Sequence, residues 1–421
     1  MNRFFLLFLI TVLLLSVSLS KGLAEPAKKT SPDELRLKDV SKAIDKMARY
    51  LINVNGESGR FTYRIHLEPG MVCAPRYNIV RHGGTMYSLG MVYDRVKGKD
   101  KELTQKTKEV LVRSSKFLKL YSIGPVHGHE GLLTVWSKPE VTQSNRKLCT
   151  KLGGTALGLA GLIAVERAAP STTPKEDLRK LARFILFMQR DDGSFFSKFI
   201  PEKGGKDTDF VSLYYPGEAA LALVMLYEID RNPNWLNGAA RAMGYLAKLR
   251  RGRARVEADH WALLATAKLL QHYPKKPAAT LPKKELIISH AAQICRSMLA
   301  GKPTEFEFDE FKGCFDNCGR TCPTATRLEG LQAALTYLPP KYGALKTKIS
   351  QAVKEGVDFL LRSLVKTGRR AGAMPRAIRR LPAYHPGYRR SFNKRAREVR
   401  IDYVQHALSA FIQFEARHQG E

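Results

Sequence analysis

YYPGEAALALVMLYEID runs from Tyr214 to Asp230. Pro216 suits a first helical turn, and Glu218 sits where a helix start favours an acid. From Ala219 to Tyr227 there is no charge on any side. A helix that is apolar nearly all round is buried all round. Five other stretches read alike: Tyr77–Val96, Lys151–Ala168, Glu257–Tyr273, Pro323–Leu338 and Arg400–Ala416. Each is preceded by a stretch with one apolar stripe and one charged face. These start near Leu35, Glu102, Pro174, Trp235, Glu285 and Leu345.

In the third of this second set, Leu178, Leu181, Ile185 and Met188 keep helical spacing, while Lys175, Arg179, Lys180 and Arg183 point elsewhere. Thr173 is expected to cap it, with Pro174 at the first position and Glu176 completing a capping box. Repeats that cannot bury their faces alone must stack. Six outer–inner pairs predict an all-α fold, an (α/α)6 barrel of about twelve helices, in preference to a generic bundle or solenoid.

Connection lengths break the symmetry. Links after inner helices are short, as at Lys97–Lys101, Ala169–Thr173 and Arg231–Pro233. Links before them are mostly long: Gly56–Arg76, Ser122–Thr150, Arg190–Leu213, Gly301–Cys322 and Thr367–Val399. One end of the ring therefore carries nearly every long loop, and long loops in compact domains tend to be functional. The inner helices start at that end, and their free N–H groups favour an anion there. FTYRIHL (Phe61–Leu67) and LLTVWS (Leu132–Ser137) alternate like strands, and the expectation is that they pair as a small β-hairpin over the opening.

The chain has 421 residues and no Pro/Gly/Ser linker, which fits one large domain over residues 25–421. MNRFFLLFLITVLLLSVSLSKGLA reads as a secretory signal peptide, residues 1–24, cleaved after Ala24. An uncleaved anchor is the weaker reading, because the apolar run is short for a span. No other segment looks transmembrane. Six cysteines, Cys73, Cys149, Cys295, Cys314, Cys318 and Cys322, fit disulfide bonds in a secreted or periplasmic protein. Cys314, Cys318 and Cys322 lack the usual spacing of a zinc site. His127, His129 and Glu130 form a His-x-His-Glu phrase that is more often solvated than metal-bound. No metal and no cofactor is assigned.

The formal net charge is +31. The segment Arg369–Arg400 holds a single acid, Glu398, with Tyr384 and Tyr388 interleaved. Arginine suits bidentate binding of carboxylates, phosphates or sulfates. Export favours an anionic polysaccharide or cell-envelope polymer as partner over nucleic acid. A plain solvated basic loop is the bland alternative.

Each inner helix places polar groups in its first turns. They include Arg81 and His82, Thr155, Tyr214, Tyr215 and Glu218, Asp259 and His260, Arg327 and Glu329, and Asp402, Gln405 and His406. Paired carboxylates can protonate a leaving oxygen and activate water or form a covalent intermediate. Glu218 and Asp259 are the first candidates for acid and base, Asp402 the next, and His82 the foremost histidine. Arg81, Tyr214, Tyr215, His260, Arg327, Glu329 and His406 are candidates for holding substrate. Each has a structural alternative. Glu218 and Asp259 can simply satisfy helix dipoles, and Asp402 and His406, four apart, share a helix face.

With its twelve-helix alternation and phrases such as YYPGEAALALVMLYEID, the mature chain resembles the (α/α)6 toroid proteins. This broad group includes six-hairpin glycosidases, toroid polysaccharide lyases and sugar epimerases. QRDDGSF (Gln189–Phe195) is similar to a turn of terpene cyclases and protein prenyltransferases. The chain lacks the acid motif of the former and the zinc set of the latter. The resemblance implies the fold, and a carbohydrate-active enzyme taking hydrolysis, elimination and epimerisation in that order. The alternatives are a non-catalytic toroid that binds a polyanion or a partner, and a cyclase-like toroid with an apolar pocket.

Overall fold

The computed structural model describes residues 31–144, 147–275 and 278–419. The proposed signal peptide, residues 1–24, lies outside them. The chain divides into two units, Met1–Lys38 and Asp39–Glu421. In the first, Ser31 and Glu34 exchange hydrogen bonds and start helix α1 (Pro32–Asn53). The second unit carries every later element.

There the chain order is β1 (Arg64–His66), α2 (Ile79–Val96), α3 (Lys101–Tyr121), β2 (Ile123–Val126), β3 (His129–Ser137), α4 (Pro139–Thr142), β4 (Cys149–Lys151), α5 (Leu152–Ala168) and α6 (Lys175–Phe187). It continues with β5 (Lys198–Ile200), β6 (Gly205–Asp207), α7 (Tyr215–Asp230), α8 (Pro233–Arg250), α9 (His260–His272), α10 (Lys284–Ala300), α11 (Thr321–Leu335), α12 (Gly343–Ser363), α13 (Arg390–Arg395), β7 (Glu398–Arg400) and α14 (Ile401–His418).

The inner ring is α2, α5, α7, α9, α11 and α14. Each packs on the next, and α14 returns to α2, so the ring closes. The outer helices α3, α6, α8, α10 and α12 lie on the pairs they connect. The apolar reading of the inner set holds in detail: every residue of α5 from Leu152 to Val165 is buried. Glycines let α2 and α5 approach closely. A Cβ on Gly83 would stand 2.7 Å from the Leu157 carbonyl oxygen, and one on Gly90 would stand 2.4 Å from Ala164 Cβ. At the trimmed end, Arg95 ties the ring together. It donates to Asp45 at 2.8 Å and to Glu415 at 2.9 Å.

The long loops build two small sheets at the other end. β2-β3-β4-β5-β6 form one antiparallel sheet and β1-β7 the other. β4 runs straight into α5, and β7 into α14. A hairpin is present, but its pairing differs from expectation. LLTVWS pairs with β2, so that Val135 faces Ile123, while Arg64 in FTYRIHL faces Arg400. Local alternation marks a strand and says nothing about its partner. The segment Arg369–Arg400 is folded. Ala377, Leu381, Phe392 and Ala396 pack with Phe311 in a satellite core, and Arg379 and Arg395 pair with Glu310 and Glu398.

Two further expectations are corrected. Thr173 does not cap α6. Its hydroxyl has no partner, its N–H donates to Glu166, and Glu176 pairs with Arg183. All six cysteines are free. Cys295 is buried within α10, and the Cys314 sulfur lies against Thr324 Oγ1 at 3.4 Å. Among the described residues, no helix is long and apolar enough to cross a membrane.

Candidate active site

A cavity of about 520 Å³ opens where the inner helices begin. Its wall takes Arg81 from α2, Leu157 from α5, Glu218 from α7, His260 and Trp261 from α9, Arg327 from α11 and His406 from α14. All six inner helices therefore contribute, as convergent N-termini require. Tyr214, Tyr215, Asp402 and Gln405 also line it.

The four expected carboxylates behave differently. Asp402 is buried but held by Arg81 at 2.8 Å and Arg400 at 2.7 Å. Burial would raise its pKa; the two guanidiniums outweigh that and lower it. Asp259 caps α9 through Ala262 N and meets Arg250 at 2.9 Å. Arg250 in turn contacts His290, so Asp259 faces the outer layer and does not line the cavity. Glu329 lies behind the wall and accepts from His406 Nδ1 at 2.7 Å. Glu218 alone keeps a buried oxygen, Oε2, without a partner. Burial, with the charge of Asp259 adding to it, pushes its pKa up to about 8. At neutral pH this acid is protonated and can donate.

The histidines also separate. His82 is not at the opening. It sits behind α2, where its ring meets Tyr77 Oη at 2.7 Å and the Ser114 carbonyl at 3.0 Å, and packs on Phe61 and Phe117. Burial lowers its pKa to about 4. This is a satisfied core histidine. His260 is equally buried, yet neither ring nitrogen has a hydrogen-bond partner; Nε2 lies 3.9 Å from Glu329 Oε2. It stands among Tyr214, Trp261 and His406, with ring centroids 5.1, 5.0 and 5.4 Å away. Burial holds it well below the usual histidine range, hence neutral. His406 goes the other way. Burial lowers it, but the Glu329 carboxylate more than compensates and the net shift is upward.

His260, Glu329 and His406 bring one potential ligand atom each within 4.8 Å of one another, the grouping among the described residues that a metal ion could use. His129 of the His-x-His-Glu phrase instead packs on Phe187 at 4.6 Å. Sequence reasoning passed over Trp261, Arg320, Cys322 and Arg400, which also line the cavity. Trp261, next to His260, and Arg400, two residues before Asp402, carried a usable signal. Cys322 is an inert thiol, pushed up to about 12 by burial.

No protein-family profile and no curated protein matches the chain. Solved structures do. One is a sugar epimerase from a ruminal bacterium (TM-score 0.61, 12% identity, 90% of this chain and 98% of that one). Another is the cellobiose 2-epimerase of Bacillus thermoamylovorans (TM-score 0.64, 11% identity, 90% and 99%). A third is the GH76A α-1,6-mannanase of a Salegentibacter species (TM-score 0.56, 13% identity, 91% and 100%). At such identities the likeness is one of fold, and it extends over nearly the whole of each chain. The protein has the (α/α)6 toroid fold.

Proposed function

We propose that this protein is a carbohydrate-active enzyme that moves a proton at a sugar carbon beside a carbonyl, as in epimerisation or aldose–ketose isomerisation. The observation that carries this is the pair of histidines on the cavity wall. His260 has two unpartnered ring nitrogens, and His406 is anchored by Glu329. Two titratable groups pushed in opposite directions divide into base and acid. Neutral His260 takes the proton from C2 of an open-chain sugar. The C–H pair forms a C1–C2 double bond, the carbonyl pair moves onto O1 as an enediolate, and His406 as the acid returns a proton to C2, giving the epimer, or to C1 as the O2 hydroxyl proton passes to O1, giving the ketose. In this reading protonated Glu218, on the same cavity wall, donates to the developing oxyanion.

Hydrolysis, the first expectation, now ranks second. It needs two carboxylates that are free to act. Glu218 supplies one, whereas Asp402, Glu329 and Asp259 are each engaged by a cation or a histidine. We further propose that the sugar carries acidic groups, because Arg81, Arg320, Arg327 and Arg400 line the same cavity. Export by the leader at residues 1–24 belongs to the same reading.

The test is exchange in D2O. Reducing mono- and disaccharides, neutral and uronate-bearing, are incubated with the protein and followed by NMR. Deuterium should appear at C2, and His260→Ala and His406→Ala should each slow this by about 10²–10⁴-fold. Shortened glycan products without exchange would return the assignment to hydrolysis.

A further inference from the structure

Beside the cavity lies a second groove, of about 470 Å³, and the two share Asn78 and Arg81. It is bounded by β1, the start of α2, β4 and β5. Eight lysines and arginines line it and, among the described residues, no aspartate or glutamate does. Arg64, Arg76, Lys147, Lys198 and Arg395 are among them.

The charge is only partly cancelled from outside the lining. Arg64 and Arg395 share one carboxylate, Glu398. Lys147 pairs with Glu202, and Lys203 with Asp207 and Asp209. Arg81 shares Asp402 with Arg400. Arg76 and Lys198 take part in none of these ion pairs. Lys198 rests 3.8 Å over the Phe210 ring rather than on an acid. Tyr63 and Tyr77 add ring surface to the same wall. A groove that concentrates one sign of charge between protein walls attracts anions of the opposite sign.

We propose that this groove is a binding subsite for an acidic oligosaccharide whose reducing end occupies the neighbouring cavity. This rests on the reading of that cavity as a sugar site. Arg81 reaches both spaces and donates to Tyr63 Oη at 2.7 Å while paired with Asp402, so it marks the junction. Arginine and lysine heads recognise carboxylate or sulfate groups. Uronate and sulfate share the required chemistry, so both are used as probes.

Binding is measured by calorimetry on the full protein. The probes are an oligogalacturonate, a sulfated heparin-type hexasaccharide, a neutral cello-oligosaccharide and a single-stranded oligonucleotide of similar length. At least one acidic sugar should bind, and the neutral one at least about tenfold more weakly. Arg76→Ala combined with Lys198→Ala should weaken the acidic sugar by about tenfold or more, and raising salt from about 0.05 to 0.5 M should weaken it further. Thermal melting of the double variant checks that it folds. Should it not fold, Lys198→Gln alone is used, with a smaller loss in the same direction. Equal binding of neutral and acidic sugars, or unchanged affinity in the folded variants, overturns the proposal. So does an oligonucleotide that binds as tightly through the same residues. His260→Ala separates the two readings: it should stop exchange at C2 yet keep acidic-sugar affinity. Affinity retained without turnover in any form of the protein would sink the catalytic reading and leave the groove standing.

Discussion

His82 and His260 occupy equivalent places, early in inner helices, and both are buried. Behind α2, His82 is bonded at both nitrogens and wrapped by aromatic rings. Across the ring, His260 keeps both nitrogens unbonded on the wall of a cavity. The same contrast separates two acids. Asp259 is consumed by a cap and an ion pair, while Glu218 has an open oxygen. Proteins seldom leave buried polar atoms unpaired, since each costs about 1–3 kcal/mol. The unpaired pair, His260 and Glu218, therefore points to something that is meant to arrive there. The paired one, His82 and Asp259, holds the walls.

The largest expected effect falls on the structural side. Asp259→Ala removes the cap of α9 and the nearer carboxylate of buried Arg250, leaving Glu257 at 3.6 Å, which should cost about 3 kcal/mol or more in denaturant unfolding. His260→Ala leaves no partner behind and should change stability far less. If the two variants lose equal stability, the distinction between wall and site fails.

Much of this was legible in the sequence, for identifiable reasons. An uncharged run such as Ala219–Tyr227 can only be interior, so six such runs specify the ring. Long and short links sort to opposite ends because hairpins alternate direction. The direction of single side chains was not legible. Arg81 and His82 are neighbours, but successive helix residues differ by about 100°, so one reaches the cavity and the other the outer layer. Long-range pairing was hidden too. The partners of Arg64 and His66, namely Arg400 and Glu398, lie at the far end of the chain. For the same reason part of the charge of Arg369–Arg400 looked free: Arg379 is engaged by Glu310, 69 residues away, whereas Arg395 and Arg400 are held by their near neighbours Glu398 and Asp402.

His82→Ala tests the other structural member. It empties a packed aromatic site and leaves Tyr77 Oη and the Ser114 carbonyl without their bonds, at an expected cost of about 2–4 kcal/mol. The folded fraction should keep its exchange activity at C2. Loss of activity at unchanged melting temperature would move His82 into the reaction and erase the contrast with His260.

The smallest effect concerns Glu218 and depends on pH. Its pKa in the fold is about 8, against 4.5 as the ordinary value. Below about pH 4.5 the acid is protonated in both folded and unfolded chains and the shift has no effect on stability relative to that limit. As pH rises toward 8, the unfolded chain releases the proton and the folded one retains it, so stability is lost. Because the group borders a cavity that admits water, the loss attributable to it is taken as about 2 kcal/mol between pH 5 and 8, below the full linkage value. Glu218→Gln abolishes that slope without changing shape. The variant should therefore melt relatively higher than the parent at pH 8 than at pH 5, while its exchange rate falls. An identical pH dependence in both proteins would mean that Glu218 is already ionised at neutral pH, and it would then be a base rather than a donor to the enediolate.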